Sequence, residues 1–274
     1  MAERPAARSS SYVHGAEPSE QQRLGWMNAI LNPRHLAAIG AIEGARGLEL
    51  GAGTGLFAAE LARAVGPRGQ VVAVERDARQ LERAREHAAG LPLELRAGDV
   101  FALPLAAHEW GSFDLVHARF LLEHVPDPQA VVDGMLRAAR PGGRIVLADD
   151  DHDVLRLHPA APRVERLWRA YLETYTRAGN DPFVGRRLVE LLARAGARPR
   201  RNDWLFFGSC VGARDFDSVL DNLAGILRGA RAAIAAGLSE GEQDAGLDEL
   251  ERWRARDDAA VWFALCWAEG ERPR

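Results

Sequence analysis

The chain has 274 residues, of which 47% are hydrophobic, so it is long enough to bury a large core within one α/β domain. The formal net charge of −4 argues against nucleic acid or an anionic membrane surface as a partner and favours small neutral or cationic ligands. The two cysteines lack the spacing of a zinc site. No run of apolar residues reaches the ~20 that a membrane helix requires, and we therefore predict a cytoplasmic protein.

The first predicted element is an amphipathic helix over residues 17–31, which we expect to stop at Asn32-Pro33. From residue 45 onward, short apolar runs alternate with segments of helical periodicity. The predicted strands of this region are 47–50, 70–75, 91–96, 113–118 and 144–148. The helices predicted between them are 56–65, 78–89 and 128–139. Such alternation is typical of a parallel sheet with helices on both faces.

After residue 150 the pattern changes and helices dominate. We predict helices at 163–177 and 182–195, a strand at 198–211, helices at 216–236 and 243–256, and a last strand at 259–268. The whole chain, 1–274, is interpreted as a single domain. Its parts are an N-terminal lid at 1–35, a ligand-binding core at 36–150, and helical additions at 151–182 and 213–257.

The first strand ends in the sequence Gly51-Ala52-Gly53-Thr54-Gly55, in which glycines alternate with small residues. Glycine at a strand-to-helix junction permits positive φ and lets a ligand touch bare backbone. The helix that follows offers unpaired N–H groups at its start. A small polar ligand is therefore expected on this loop.

Acidic residues close the next two strands. Glu75 lies 24 residues after Gly51, where a carboxylate can accept hydrogen bonds from both hydroxyls of a ribose. Asp99 and Val100 follow the third strand and are suited to the amino group and the flat face of an adenine. These positions indicate a nucleoside ligand, and Arg76 beside Glu75 belongs to the same predicted site.

A dinucleotide is the rival ligand, because Gly53, Gly55 and Ala58 satisfy the relaxed dinucleotide fingerprint. The positions of the glycines relative to the strand disfavour a dinucleotide. The glycine that directly follows the strand is Gly51, and counted from there the third glycine position holds Leu56. An acidic residue after the third strand is also foreign to the dinucleotide signature.

At this point the sequence resembles the S-adenosylmethionine-dependent methyltransferases with a Rossmann-like fold, in their small-molecule branch. The segments that carry the resemblance, in order, are 49–55, 72–75, 98–100, 113–119 and 136–143. It implies a seven-stranded, mostly parallel sheet with strand order 3-2-1-4-5-7-6. Strand 7 would be antiparallel and would come from residues 259–268.

The resemblance also implies roles for individual residues. Gly51, Ala52, Gly53 and Gly55 would meet the methionine part of S-adenosylmethionine. Glu75 would bind its ribose, Asp99 and Val100 its adenine, and His117 would line the methionine side. The segment around Tyr12 looks like the N-terminal lid of this branch, with the tyrosine folded over the cofactor.

The chemistry requires a nucleophile aligned with the carbon–sulfur bond, and a base only where the acceptor is protonated. The best base is His152, which lies among the aspartates that follow the fifth strand; a solvated acidic loop is the alternative interpretation. His117 occupies the position where a metal-assisted enzyme of this class would carry an acidic ligand, so we expect no metal.

The aromatic residues fall into two groups. Trp204, Phe206 and Trp262 lie in predicted strands and are expected in the core. Trp168 and Tyr171 lie on a helical addition, where they either line an acceptor pocket or pack between helices.

The predicted function is methyl transfer from S-adenosylmethionine to an oxygen, nitrogen or carbon atom of a small molecule, such as a specialised metabolite. Two alternatives stay open at this level: a nucleic-acid methyltransferase, and a protein that binds S-adenosylmethionine without catalysis. The acidic balance and the absence of an Asn/Asp-Pro-Pro-aromatic sequence after the fourth strand disfavour nucleic acid. The oligomeric state is not indicated by the sequence.

Overall fold

The computed structural model describes the backbone of residues 18–274 and the side chains from residue 23 onward. Tyr12 and the start of the predicted N-terminal lid lie outside the described residues. The α-helices are α1 (Pro18–Ile39), α2 (Leu56–Val65), α3 (Ala78–Ala88), α4 (Pro128–Ala138), α5 (Pro162–Arg177), α6 (Leu188–Ala195), α7 (Phe216–Gly229), α8 (Arg231–Ile234) and α9 (Glu240–Arg254). The strands are β1 (Arg46–Leu50), β2 (Gln70–Glu75), β3 (Leu93–Ala97), β4 (Phe113–Arg119), β5 (Ala139–Asp150), β6 (Arg156–His158), β7 (Arg198–Phe206), β8 (Ser209–Cys210), β9 (Ala260–Trp262) and β10 (Ala264–Glu271).

Seven strands form the central sheet, in the order β3-β2-β1-β4-β5-β10-β7. Counted within this sheet alone, that order is 3-2-1-4-5-7-6, as the resemblance implied. The first five strands pair in parallel, whereas β10 is antiparallel to both of its neighbours. The carboxyl ends of β1, β2, β4 and β5 therefore meet at one edge, and that edge is where ligands bind in open α/β sheets.

Helices cover both faces of the sheet because the strands are apolar on both sides. On one face Leu48 and Leu50 pack with α4 and α6, through buried side chains such as Met135. On the other face Val71 and Val146 pack against α1 and α2. Full burial of each such side chain stabilises the fold by ~1.5–3 kcal/mol.

A further apolar cluster joins the late helices. It includes Trp168 and Tyr171 on α5, Leu220 on α7, Leu250 on α9 and Val261 on β9. β9 forms a small antiparallel sheet with β6 and β8. The additions thus have their own packing core beside the edge of the central sheet where the ligand is expected.

Several predicted boundaries are wrong. The predicted strand 198–211 is divided into β7 of the central sheet and β8 of the small sheet, and the predicted helix 182–195 becomes an α-helix only at Leu188. α1 does not stop at Pro33 but continues to Ile39, because Leu31 and Ile39 are buried on either side of the proline and offset the hydrogen bond that it removes. The predicted strand 259–268 is interrupted at residue 263. Its first part joins the small sheet, and its second part, β10, forms the antiparallel strand of the central sheet.

The expected burial of the late aromatics is also wrong in part. Trp204, Phe206 and Trp262 are 63%, 49% and 57% exposed. Trp204 and Phe206 lie on β7, the edge strand of the central sheet, which has no neighbouring strand on its outer side. Trp262 lies on β9 of the small sheet, with its ring 5.6 Å from that of Phe206. Among the described residues, no helix combines the length and apolar character needed to cross a bilayer.

Candidate active site

A cavity of about 550 Å³ opens where β1, β2, β4 and β5 end. Its lining has two halves. One half consists of the loops after β1, β2 and β3, and the other consists of α1, α5, α7 and the segment that follows β5. A single space thus joins the glycine-rich loop to the late helices, and a volume of this size suits a small-molecule site.

The glycine-rich loop has the backbone that its sequence predicts. Gly51, Gly53 and Gly55 all have positive φ, between 54° and 75°. A Cβ at Gly51 would lie 3.0 Å from Cδ1 of Leu121, and one at Gly55 would lie 2.7 Å from the Cβ of Ala84. Gly51, Ala52 and Gly53 line the cavity, whereas Gly55 is absent from the lining and lets α2 and α3 approach closely.

The carboxylate of Glu75 lies against this loop. Its Oε2 accepts a hydrogen bond from the backbone N–H of Gly53 at 2.7 Å. Its Oε1 accepts from the N–H groups of Arg76 and Asp77, both at 2.8 Å. A carboxylate has about four lone-pair sites, so acceptor capacity is left for a ligand. Glu75 and Arg76 both line the cavity.

Asp99 and Val100 form the next part of the wall, together with Phe101. Oδ1 of Asp99 accepts from the N–H of Phe101 at 2.9 Å, which fixes the loop after β3. This wall presents a carboxylate beside apolar side chains, the combination that the sequence predicted for an adenine.

A buried guanidinium borders the cavity opposite this wall. Arg119, at the end of β4, stacks over the ring of Phe57 at 4.4 Å and donates from Nη2 to Oδ1 of Asn28. Its Nη1 is buried and has no hydrogen-bond partner in the described structure. Burial lowers the pKa of Arg119 to about 10, so the group remains cationic at neutral pH. It is suited to the carboxylate of a ligand.

His117 differs from its predicted position. Its ring is fully buried and does not contribute to the lining described for the cavity. Nε2 lies 2.8 Å from Nε2 of His35 on α1, and Nδ1 lies 3.7 Å from Oε1 of Glu49. Because this ring is taken up by contacts between α1 and the sheet, the predicted contact with the cofactor would fall to the backbone of His117, and it stays a prediction. Burial lowers its pKa, which favours the neutral imidazole.

The other half of the cavity is aromatic. Trp168, Tyr171 and Tyr175 approach it from α5, and Phe207 and Phe263 approach it from the short links that follow β7 and β9. Trp168 and Tyr171 therefore line the cavity and also pack within the apolar cluster of the late helices. Lining a pocket and packing between helices, the two interpretations of these residues, are thus compatible. Flat apolar walls of this kind favour a flat apolar ligand.

His152 reaches this half, in a 3₁₀ turn that directly follows β5. Its Nε2 lies 2.7 Å from Oε2 of Glu123, and its carbonyl accepts from the indole N–H of Trp168 at 2.9 Å. Nδ1 is buried and has no hydrogen-bond partner in the described structure. The sequence argument missed Glu123. The signal lay in the stretch Leu121–Val125, where a charged pair, Glu123-His124, interrupts an apolar run.

The carboxyl groups here are unusually buried. Burial raises the pKa of Glu123 to about 8 and raises the pKa of Asp149 and Asp150 well above the ordinary range. Asp149 is held by the backbone N–H groups of Leu121 and Leu122, whereas Oδ1 of Asp150 has no partner in the described structure. With its pKa near 8, Glu123 can take up and release a proton close to neutral pH.

Ligand atoms of Glu123, Asp150 and His152 all lie within 4.8 Å of one another, a spacing that a metal ion could accept. The sequence nevertheless led us to expect an enzyme without a metal. That expectation stays a prediction.

Comparison with known proteins decides the family. A family model described as a methyltransferase domain matches residues 42–178, which is half of the chain. A demethylmenaquinone methyltransferase of Lactococcus lactis is 31% identical over 193 residues, covering 62% of this chain and 75% of the relative. The chain belongs to the S-adenosylmethionine-dependent methyltransferases. S-adenosylmethionine is accordingly its cofactor.

Two further proteins match this methyltransferase over different shares of their own length. An uncharacterized 37.1 kDa protein in transposon TN4556 of Streptomyces fradiae is 35% identical over 167 residues, which cover 59% of this chain but 46% of that protein. The chain thus spans less than half of that relative's length. The crystal structure of an S-adenosylmethionine-dependent methyltransferase from Aquifex aeolicus matches with a TM-score of 0.52 and 19% identity, covering 69% of this chain and 92% of that one. This likeness shows the shared fold.

Proposed function

We propose that this methyltransferase transfers the methyl group of S-adenosylmethionine to a small, apolar, aromatic molecule. The observation that carries the proposal is the continuity of the cavity, which joins the glycine-rich loop to an aromatic wall without an intervening barrier of side chains. The demethylmenaquinone named in the Lactococcus relative is a quinone, and a flat ring system of that class matches the wall.

The cofactor fits the first half of the cavity. The backbone of Gly51, Ala52 and Gly53 would hold the methionine part, and the unsatisfied Nη1 of Arg119 would bind its carboxylate. Glu75 would accept from the ribose hydroxyls, beside Arg76. The same proposal includes the remaining predicted contacts. Asp99 and Val100 would contact the adenine, and Tyr12 would belong to the N-terminal lid over the cofactor.

In this arrangement the chain mainly positions the reactants. S-adenosylmethionine supplies a methyl group already activated by its sulfonium. The aromatic half of the cavity orients the acceptor and excludes water, and proximity of this kind can supply ~7–11 kcal/mol of a barrier. His152, the predicted catalytic residue, lines the aromatic half of the cavity, where we place the acceptor.

The test is a screen with S-adenosylmethionine carrying a labelled methyl group, offered with naphthols, phenols and reduced naphthoquinones. We expect label in at least one of these and none in a DNA or RNA oligonucleotide. Label in nucleic acid alone would contradict the proposal. Binding of the cofactor with no label in any acceptor would favour the non-catalytic alternative.

A pair of variants locates the acceptor. Ile226 lies on α7 and lines the cavity. Ile226→Trp should fill the acceptor half and reduce turnover while cofactor affinity, measured by calorimetry, stays unchanged. Ile226→Val serves as the matched control, because it changes the same side chain without adding volume. Equal turnover in both variants would place the acceptor elsewhere.

A further inference from the structure

The hydrogen bond between Glu123 and His152 has a consequence for the type of acceptor. With the imidazole donating from Nε2 to Glu123, Nδ1 is left as a buried acceptor with no partner in the described structure. A buried polar atom without a partner costs about 1–3 kcal/mol, and a donor on a ligand would remove that cost. His152 is a lining residue of the cavity, so the donor can belong to an acceptor molecule that packs against it.

We infer that Glu123 and His152 form a catalytic pair that takes a proton from a hydroxyl group of the acceptor, which makes the protein an O-methyltransferase for phenol-type hydroxyls. This inference rests on the proposed function. His152 would touch the substrate through Nδ1, and Glu123 is the positioning residue that holds the ring and its tautomer.

The step balances as follows. The hydroxyl proton passes to Nδ1 of His152, and the oxygen lone pair forms the new bond to the methyl carbon. The carbon–sulfur bond breaks with its electron pair going to sulfur, which becomes a neutral thioether. The imidazolium formed on His152 is stabilised by the Glu123 carboxylate and then loses its proton to solvent as the product leaves.

The surrounding network favours this pair over a metal site. Glu123 already accepts a hydrogen bond from Tyr175 in addition to that from His152. Tyr175 is in turn 2.8 Å from the hydroxyl of Tyr171. A metal ion bound by Nε2 of His152 would have to displace the hydrogen bond between that atom and Glu123, whereas an acceptor hydroxyl would use Nδ1, which has no partner in the described structure.

The proton affinity of the pair is set by groups on several elements. Those facing it are Arg23 on α1, His124 beside Glu123, Asp149 and Asp150 on β5, Asp151 directly after β5, and Tyr171 and Tyr175 on α5. Burial dominates and raises the pKa of Glu123 to about 8, while it lowers the pKa of His152. The active form is the deprotonated one, so turnover should rise with pH through about 8.

The kinetic experiment compares two acceptors from the screen, a naphthol and its more acidic nitro-substituted analogue. His152→Ala should slow transfer to the naphthol by about 100-fold or more, the usual contribution of a general base. The nitro analogue should lose much less, because it ionises without help. Glu123→Gln should reduce turnover in the same pattern, and the exposed Glu173→Gln on α5 serves as the control.

Equal losses on both acceptors would overturn the inference, while methylation by the native protein would leave the proposed function standing. A spectroscopic arm needs no acceptor. In histidine-labelled protein, the His152 signals, assigned with His152→Ala, should show the proton on Nε2 above pH 8, and Glu123→Gln should change that tautomer ratio. A proton on Nδ1 there, or broadening of these signals by stoichiometric Mn²⁺ with chelator-sensitive turnover, would overturn the pair as base.

Discussion

The two halves of the cavity are built in different ways. In the cofactor half, polar groups lie at the ends of adjacent strands and are held by nearby backbone, as Glu75 is by the N–H groups of Gly53 and Arg76. In the acceptor half, Glu123 and His152 meet across 29 positions of sequence and are enclosed by rings from α5. The first half is a rigid consequence of sheet topology. The second depends on how the late helices pack.

The largest expected effect concerns the cofactor half. Glu75→Ala should weaken S-adenosylmethionine binding by about 1–3 kcal/mol, or roughly 5- to 150-fold, because hydrogen bonds to a charged group are lost. Calorimetry measures the change. Glu82→Ala, on the neighbouring α3, is the matched control because that carboxylate is exposed and pairs only with surface charge. Unchanged affinity in Glu75→Ala would mean that the ribose binds elsewhere.

A smaller effect separates the ends of the cofactor. Arg119→Gln should weaken binding of S-adenosylhomocysteine by about 10-fold, since a charge-assisted hydrogen bond to its carboxylate is lost. Methylthioadenosine lacks the amino-acid part, so its affinity should not change. If both ligands lose affinity equally, Arg119 supports the fold of the loop and not the carboxylate.

The smallest effect concerns the acceptor half. The folded state holds the Glu123 proton more tightly than the unfolded chain, so its contribution to stability is lost as pH rises from about 4 through about 8. Glu123→Gln cannot ionise and should therefore remove most of this loss. Urea unfolding at pH 6 and pH 9 compares the two proteins. Parallel pH dependences would contradict the assigned burial.

Much of the cofactor half could be predicted from sequence because strand ends are visible as apolar runs that break into glycine or acid. The sheet order followed from the resemblance once those breaks were placed. His117 shows the limit of this approach. It lies on β4, but whether its ring faces a ligand depends on His35, which comes from another element and lies 82 positions away.

The acceptor half was only partly predictable. His152 could be found because it lies among carboxylates directly after a strand, but its partner Glu123 belongs to a short turn without a clear periodic signal. Trp204 and Trp262 were misplaced for a related reason. Strand character indicates that a residue sits in a sheet, and only topology reveals that Trp204 lies on the edge strand β7 and that Trp262 belongs to the small sheet.

A crystal structure of the complex with S-adenosylhomocysteine tests the central claim most directly. We expect both ribose hydroxyls within hydrogen-bonding distance of the Glu75 carboxylate, the adenine beside Val100, and the sulfur facing the open space in front of His152. A cofactor bound with its ribose away from Glu75, or with its sulfur separated from His152 by protein side chains, would contradict the account.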